Sequence, residues 1–441
     1  MKKLSRLLCL ILAVVMSVLT FVGCHEKDEI AFTIGESKFT SAMYSCVLYI
    51  SASNARSAIN TYAKENEIDT AAIDYTTFKF NDNGDVDPAG TYPYETFVRN
   101  ETIKLLKQYA TLDVWMKENN LKLDDDTLLN AQNNAAYQWY YGCTPYYYSY
   151  YANMGYDPSS LFTPAYIDLE KNGVAYPTYE KYYIYEATYD FYFMNLYGEK
   201  GEKEIAKDDL NKNMSENYAM VDIITFSKKD SDNKELSNEK LSEIKALADK
   251  YAERLNNGEK FEDIYKEEQE RLKKEEEAAN DYTESSGSST TSSGGASSAA
   301  SSTASSTDSS ASSSAAASSA TSSDADKGYK PAEYVKLYGN KDTSFEDDMF
   351  DEIIKQEIGK AVVLEDKENS QYMLIVRRNM TDELYEEYWL DYLRKEITYS
   401  LKSDEYDASL NEYGKSLALT EDARATKPFG VDDIVFNTSS K

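Results

Sequence analysis

The side chains that carry most biological chemistry are scarce in this chain. Histidine occurs once in 441 residues, at His25. That excludes multi-histidine metal sites and any imidazole acid–base chemistry elsewhere. The four cysteines, Cys9, Cys24, Cys46 and Cys143, have spacings that match no metal motif. There is no phosphate loop, no Gly-x-Gly-x-x-Gly, no Gly-x-Ser-x-Gly and no histidine for a catalytic triad. No metal site and no cofactor are expected. Carboxylates and tyrosines are abundant instead: 77 Asp+Glu against 47 Lys+Arg, a net charge of −30, and 39 Tyr. Such a chain repels nucleic acid and bare anionic lipid, and it tolerates basic or unfolded partners.

The tyrosines are concentrated. Residues 137–197 hold 18 of them, densest in "YQWYYGCTPYYYSYYANMGY" and "YPTYEKYYIYEATYDFYFMNLYG". Tyr179, Tyr182, Tyr183, Tyr189 and Phe193 recur near helical spacing. One role is a helical core that uses Tyr where other proteins use Leu or Phe. Another is an amphipathic aromatic cleft, since Tyr combines a large face, a hydroxyl and little side-chain entropy. Sugar stacking would draw on the same chemistry. Tyr182, Tyr183, Tyr189 and Trp389 are the candidate peptide-contact residues.

The elements that must position these rings can be read from periodicity. Ile30 to Ile34 predicts a short strand, Gly35-Glu36 a turn, and Thr40 or Ser41 a helix cap, with Phe39, Met43, Val47 and Ile50 at helical spacing. An amphipathic helix is predicted over 96–120, with Val98, Ile103, Leu106, Tyr109, Leu112 and Trp115 as its stripe. Another begins at Asp124 to Asp126, where acidic residues suit a helix N-terminus. Asn217 to Lys229 predicts a strand. Two charged helices broken at Gly258 follow, and later "AVVLED" and "QYMLIVRR" predict two short strands around an acidic turn. From Thr381, a possible cap, Leu384, Tyr385, Tyr388, Trp389, Tyr392, Leu393 and Ile397 form one face of a strong helix, expected to fold back onto the Tyr-rich half. Between these segments lies Ser285–Ser323, composed of Ser, Thr, Gly and Ala apart from Asp308. It cannot bury enough apolar surface to offset its ordering entropy and should be disordered.

The N-terminus places Lys2, Lys3 and Arg6 before an apolar run, Leu7 to Val22, that is short for a membrane span. It ends in "FVGC", which resembles the bacterial lipoprotein cleavage box, with Phe21 where Leu is usual. The resemblance implies a signal peptide over 1–23 and a diacylated Cys24. A chain this acidic is then held to an extracytoplasmic membrane face by lipid rather than by charge. Cys46 and Cys143 remain, either paired or as small core residues.

The order strand, helix, "NGEKFEDI", helix, "FEDDMF", "IGKA", strand, strand resembles a parvulin-type peptidyl-prolyl isomerase domain. The start "hydrophobic–Gly–Glu" and the returning C-terminal helix resemble PrsA/SurA-type foldases, which insert that domain into a helical lobe built from both chain ends. The resemblance implies an α+β fold: a mostly helical SurA-like chaperone lobe with a small parvulin-like antiparallel-sheet domain, interrupted by the Ser/Ala-rich insertion at about 280–327. The implied divisions are a lobe at 24–216, the parvulin-like domain at 217–380, the returning helix at 381–420 and a tail at 421–441. Positions matching the family's groove are Asp222, Phe345 and Met373. The family usually carries histidines where Asp222 and Met373 stand, and neither side chain replaces an imidazole that both donates and accepts. The implied function is a lipid-anchored foldase or chaperone for unfolded secreted polypeptides, with weak or no isomerase activity. An active prolyl isomerase and a glycan- or peptide-binding surface lipoprotein are the alternatives.

Overall fold

The computed structural model describes residues 29–70, 73–230, 233–285 and 331–436, without the side chains of 276 and 278–285. The signal segment, Cys24 and the serine tract from 286 onward lie outside the described residues. Helix and strand are mixed, and the sheets are small and antiparallel. The chain divides into two compact units: 29–196 with 404–436, and 197–285 with 331–403.

The first unit opens with strand β1 (Ile30–Ile34), a turn at Gly35 and strand β2 (Ser37–Thr40). Phe39 therefore sits on β2 and not on the helix. Thr40 caps helix α1 (Ser41–Glu65) by accepting from the Met43 N–H, which satisfies one of the free amides of the first turn. After a two-stranded ribbon, β3 (Lys79–Phe80) with β4 (Tyr92–Pro93), helix α2 (Tyr94–Glu118) packs along α1. Val98, Leu106, Tyr109 and Leu112 are buried as its stripe requires, while Ile103 and Trp115 are partly exposed. Asp124 caps helix α3 (Asp125–Tyr141) by accepting from Thr127 N–H at 2.7 Å. Then come helix α4 (Pro145–Asn153), the single turn α5 (Tyr166–Leu169) and the long α6 (Tyr176–Tyr197).

The second unit begins with α7 (Lys207–Asn217), strand β5 (Tyr218–Ser227), α8 (Asn238–Asn256) and α9 (Phe261–Ser285), the last two broken at Gly258, whose φ is +95°. Helix α9 runs past 280, the expected start of the insertion. Strand β6 (Val335–Gly339), the short helix α10 (Phe350–Ile354), β7 (Ala361–Asp366), β8 (Gln371–Arg377) and helix α11 (Glu383–Ser416) follow. The strands form one antiparallel sheet in the order β6-β5-β8-β7. Its central pair, β5 with β8, places Asp222 opposite Val376 and Thr225 opposite Met373. Side chains alternate across a strand. Tyr218 and Met220 of β5 meet Leu337, Leu390, Leu393 and Ile397, and Ile224 and Phe226 meet Tyr251, Phe261 and Ile264 of α8 and α9. On the opposite side, Ala219 and Val221 meet Tyr338, Phe350, Met373 and Ile375.

Three sequence expectations change here. The apolar face of α11 from Tyr385 to Ile397 does not fold onto the tyrosine-rich half. It packs within its own unit on Tyr218, Met220 and Leu337. Thr381 is not the cap: its hydroxyl donates to Asn379, and Asp382 accepts from Leu384 N–H. The "FEDDMF" piece of the parvulin-like order becomes helical only at its last residue, where the five-residue α10 begins at Phe350.

The division within α11 falls between 403 and 404, and beyond it the helix belongs to the first unit. There Tyr406 lies against Phe193 and Tyr189, and Tyr413 against Trp115. Strand β9 (Leu419–Glu421) then pairs antiparallel with β1, and α12 (Ala423–Thr426) follows. The expected tail is packed as far as Phe436, which stacks on Tyr49 at 5.1 Å. The first unit is thus closed by both ends of the described chain.

Candidate functional site

The two tyrosine-dense segments are positioned by different physics. On α6 every prominent tyrosine has a partner. Tyr185 is buried, stacks on Tyr109 at 4.5 Å and donates to Asp113 at 3.2 Å. Tyr109 donates to Glu186 at 2.8 Å, and Tyr189 to Asp407 at 2.7 Å. A buried phenol needs an acceptor, and an acidic chain supplies carboxylates that only accept. The same pairing recurs in the second unit, where Tyr218 donates to Glu396 at 2.8 Å. Burial pushes the Glu186 carboxyl up to about 7, and neighbouring Asp190 adds to the rise. Burial likewise raises Asp407.

Three of the four candidate contact residues belong to this packed region. Tyr182 and Tyr183 pack on a buried cluster of Cys46, Trp139, Leu169, Val174 and Tyr179. Tyr189 is engaged by Asp407 and lies edge-on to Tyr406 at 4.9 Å. Trp389 belongs to the second unit, where it packs beside Leu390 and Leu393. Cys46 and Cys143 are both buried and share no disulfide.

The exposed tyrosines lie earlier in the chain. Gly142 ends α3 in a left-handed conformation, φ +72°, where a Cβ would fall 2.2 Å from the Thr163 carbonyl oxygen. Only glycine fits that corner. Thr144 then caps α4 and Pro145 occupies its first turn, a strong local start for a short helix. Helix α4 has no buried residue. Tyr146, Tyr147 and Tyr150 are 56%, 50% and 41% exposed, Tyr140 is 54% and Tyr156 is 57%. Tyr140 stacks on Tyr176, and the other four connect through the half-buried Tyr151: Tyr147 to Tyr146 at 5.4 Å, Tyr146 to Tyr150 at 6.3 Å, Tyr150 to Tyr151 at 5.2 Å, and Tyr151 to Tyr156 at 6.4 Å. Sequence reasoning marked this stretch as dense but nominated Tyr182, Tyr183 and Tyr189, which are packed or engaged, and not these exposed rings. The usable signal was local: nine residues capped at both ends carry no alternation between apolar and polar, so no face is committed to a core.

In the second unit, the three groove positions do not converge. Asp222 is fully buried and ion-paired to Arg378, and neither carboxylate oxygen has a hydrogen bond beyond that pair among the described residues. Burial raises its carboxyl against the pull of Arg378. The Arg378 guanidinium also lies 5.5 Å from the centre of the Tyr385 ring. Met373 is buried on the other face of the sheet, accepting from the Tyr338 hydroxyl. The pleat decides this: Val376 stands opposite Asp222, so Met373, an odd number of positions away, points the other way. Phe345 packs between Tyr218 at 6.1 Å and Tyr392 at 6.0 Å.

A cleft of about 390 Å³ in this unit is lined by Asp347, Asp348, Glu352, Glu365, Asp366 and Glu368. Asp366 is occupied by hydrogen bonds from Asn369 and Gln371, and no acidic group among the described residues has metal-holding geometry.

In comparisons with known proteins, no family model, no curated protein and no solved structure matches the chain.

Proposed function

We propose that this chain is a lipid-anchored extracytoplasmic foldase or chaperone that holds unfolded secreted polypeptides. The observation that carries it is the set of adjoining exposed tyrosine rings on α4, Tyr146, Tyr147 and Tyr150. An exposed aromatic surface suits contact with varied unfolded segments, because tyrosine loses little side-chain entropy on binding. The PrsA/SurA-like arrangement belongs to the same reading. It is supported by a first unit closed by both ends of the described residues, and by a second unit whose sheet draws β5 from before residues 286–330 and β6, β7 and β8 from after them. Anchoring through Cys24, with the signal segment removed, completes the proposal.

The parvulin-like unit is weak or inactive as an isomerase in this account. An X-Pro bond crosses a barrier of about 18–20 kcal/mol unaided, and lowering it needs side chains that face one groove. Asp222 is held by Arg378, Met373 faces away from it, and Phe345 is packed between two tyrosines.

The test is suppression of aggregation of a chemically unfolded secreted protein by the full chain in lipid nanodiscs. Suppression at stoichiometric amounts is expected. No effect at that ratio overturns the proposal. A proline-limited refolding assay on the same sample should show little acceleration; acceleration abolished by Phe345→Ala would establish the isomerase alternative.

A further inference from the structure

The exposed tyrosine surface has a charge character that narrows what it can hold. From residue 123 to residue 170 there is no lysine, arginine or histidine, while Asp124, Asp125, Asp126, Asp157, Asp168 and Glu170 are present. The segment that builds α3, α4 and the following turns is therefore purely anionic. Aromatic faces carry negative quadrupole potential and attract cations over the ring. Elsewhere the molecule uses that attraction itself: Arg56 lies over Tyr75 at 4.6 Å, Lys228 over Tyr372 at 4.5 Å and Lys336 over Tyr338 at 4.4 Å. Among the described residues, no such cation covers Tyr146, Tyr147 or Tyr150, and these rings stand half open to solvent. Rings without cations, set in an acidic segment of a chain with net charge −30, are complementary to a positively charged partner.

We infer that the tyrosine surface of α4 binds extended polypeptide segments bearing lysine or arginine, whose cationic heads lie over Tyr146, Tyr147 and Tyr150. This rests on the foldase reading and specifies its client chemistry. Two forces act at different ranges. The net negative field draws basic segments in and is screened by salt, with a Debye length of about 10 Å at 0.1 M and about 3 Å at 1 M. Contact with the rings then selects for the cation itself. A purely hydrophobic surface would prefer uncharged apolar segments. A merely acidic surface would not care whether its rings were aromatic.

The test measures fluorescence anisotropy with the full chain in nanodiscs of neutral lipid. Three labelled unstructured peptides of equal length are compared: one with lysine at alternate positions, one with glutamate there, and one with norleucine. The lysine peptide is expected to bind at least about tenfold more tightly than either of the others. Replacing Tyr146, Tyr147 and Tyr150 together by leucine keeps apolar bulk and every charge but removes the rings, and should weaken the lysine peptide by at least about tenfold. Replacing the same three by phenylalanine keeps the rings and should restore binding. Because α4 buries no residue, these exchanges leave the core intact. Norleucine binding as tight as lysine binding, or a leucine variant equal to the unaltered chain, overturns the inference. If that happens while aggregation is still suppressed, the foldase reading stands and only the cationic preference falls. Lysine-selective binding without suppression keeps the surface and overturns the foldase reading.

Discussion

Helix α4 and helix α6 are written in nearly the same alphabet and do opposite things. Both are crowded with tyrosine. On α6 the rings are buried or half-buried, and hydroxyls reach Asp113 and Asp407, while Glu186 accepts from Tyr109 on α2. On α4, Tyr148 and Tyr151 are half-buried against Tyr141 and Phe162, while Tyr146, Tyr147 and Tyr150 are open and lie against neighbours on the same helix. The difference teaches that a tyrosine's role here is set by whether a carboxylate from another element comes within reach. Where α2 and the end of α11 bring one, tyrosine becomes core. Where the chain turns sharply at Gly142 and starts a short helix outward, it becomes surface.

The contrast can be broken most sharply at Phe193, which is fully buried against Tyr406 at 5.3 Å. Phe193→Ala should cost about 3–5 kcal/mol in chemical denaturation. A loss below about 1 kcal/mol would mean that the α6 region is not a close-packed core.

Glu186→Gln comes next. The folded carboxyl titrates at about 7, above its ordinary 4.5, so the native state keeps a proton that the unfolded chain releases between those values. Its stabilising effect is fully present below about pH 4.5 and is lost as pH rises through 7, roughly 3 kcal/mol in all. Glutamine cannot ionise and still accepts from Tyr109. The variant should therefore gain stability relative to the unaltered chain on going from pH 4.5 to pH 8. Parallel pH profiles for the two would show that Glu186 is not the buried acid described here.

Gly142→Ala acts on the corner that separates the two regions. The left-handed backbone and the Thr163 carbonyl should together cost about 1–3 kcal/mol, visible as faster hydrogen exchange in residues 145–161 with little change in α6. The smallest effect is expected at Tyr146→Ala, within about 0.5 kcal/mol, as for a surface substitution. A large loss there would place α4 in a core and remove the contrast.

Much of the scaffold was legible because its signals are local. The Thr40 and Asp124 caps, the stripe of α2 and the Gly258 break each lie within one or two turns of the residues they govern. So do β5, β7 and β8. Strand β6 escaped because "VKLYG" alternates weakly, and β9 because it is only three residues long. The face of α11 was visible, but periodicity shows that a face needs a partner and not which one. Its true partners, Met220 and Leu337, are distant in sequence. The site was least legible for the same reason. Tyr182, Tyr183 and Tyr189 look as available as Tyr146 until Asp407 and the cluster around Trp139 are in place. The opposition of Asp222 and Met373 follows from strand parity, but only once the β5–β8 register is known.

The most direct test of the central claim uses a photo-crosslinking amino acid placed singly at 146, 150, 182 or 189, with an unfolded secreted polypeptide as client. The account predicts crosslinks to the client from 146 and 150 and almost none from 182 and 189. Crosslinking from 182 or 189 at a level equal to or above that from 146 and 150 would contradict it, and would move the binding surface into the region described here as core.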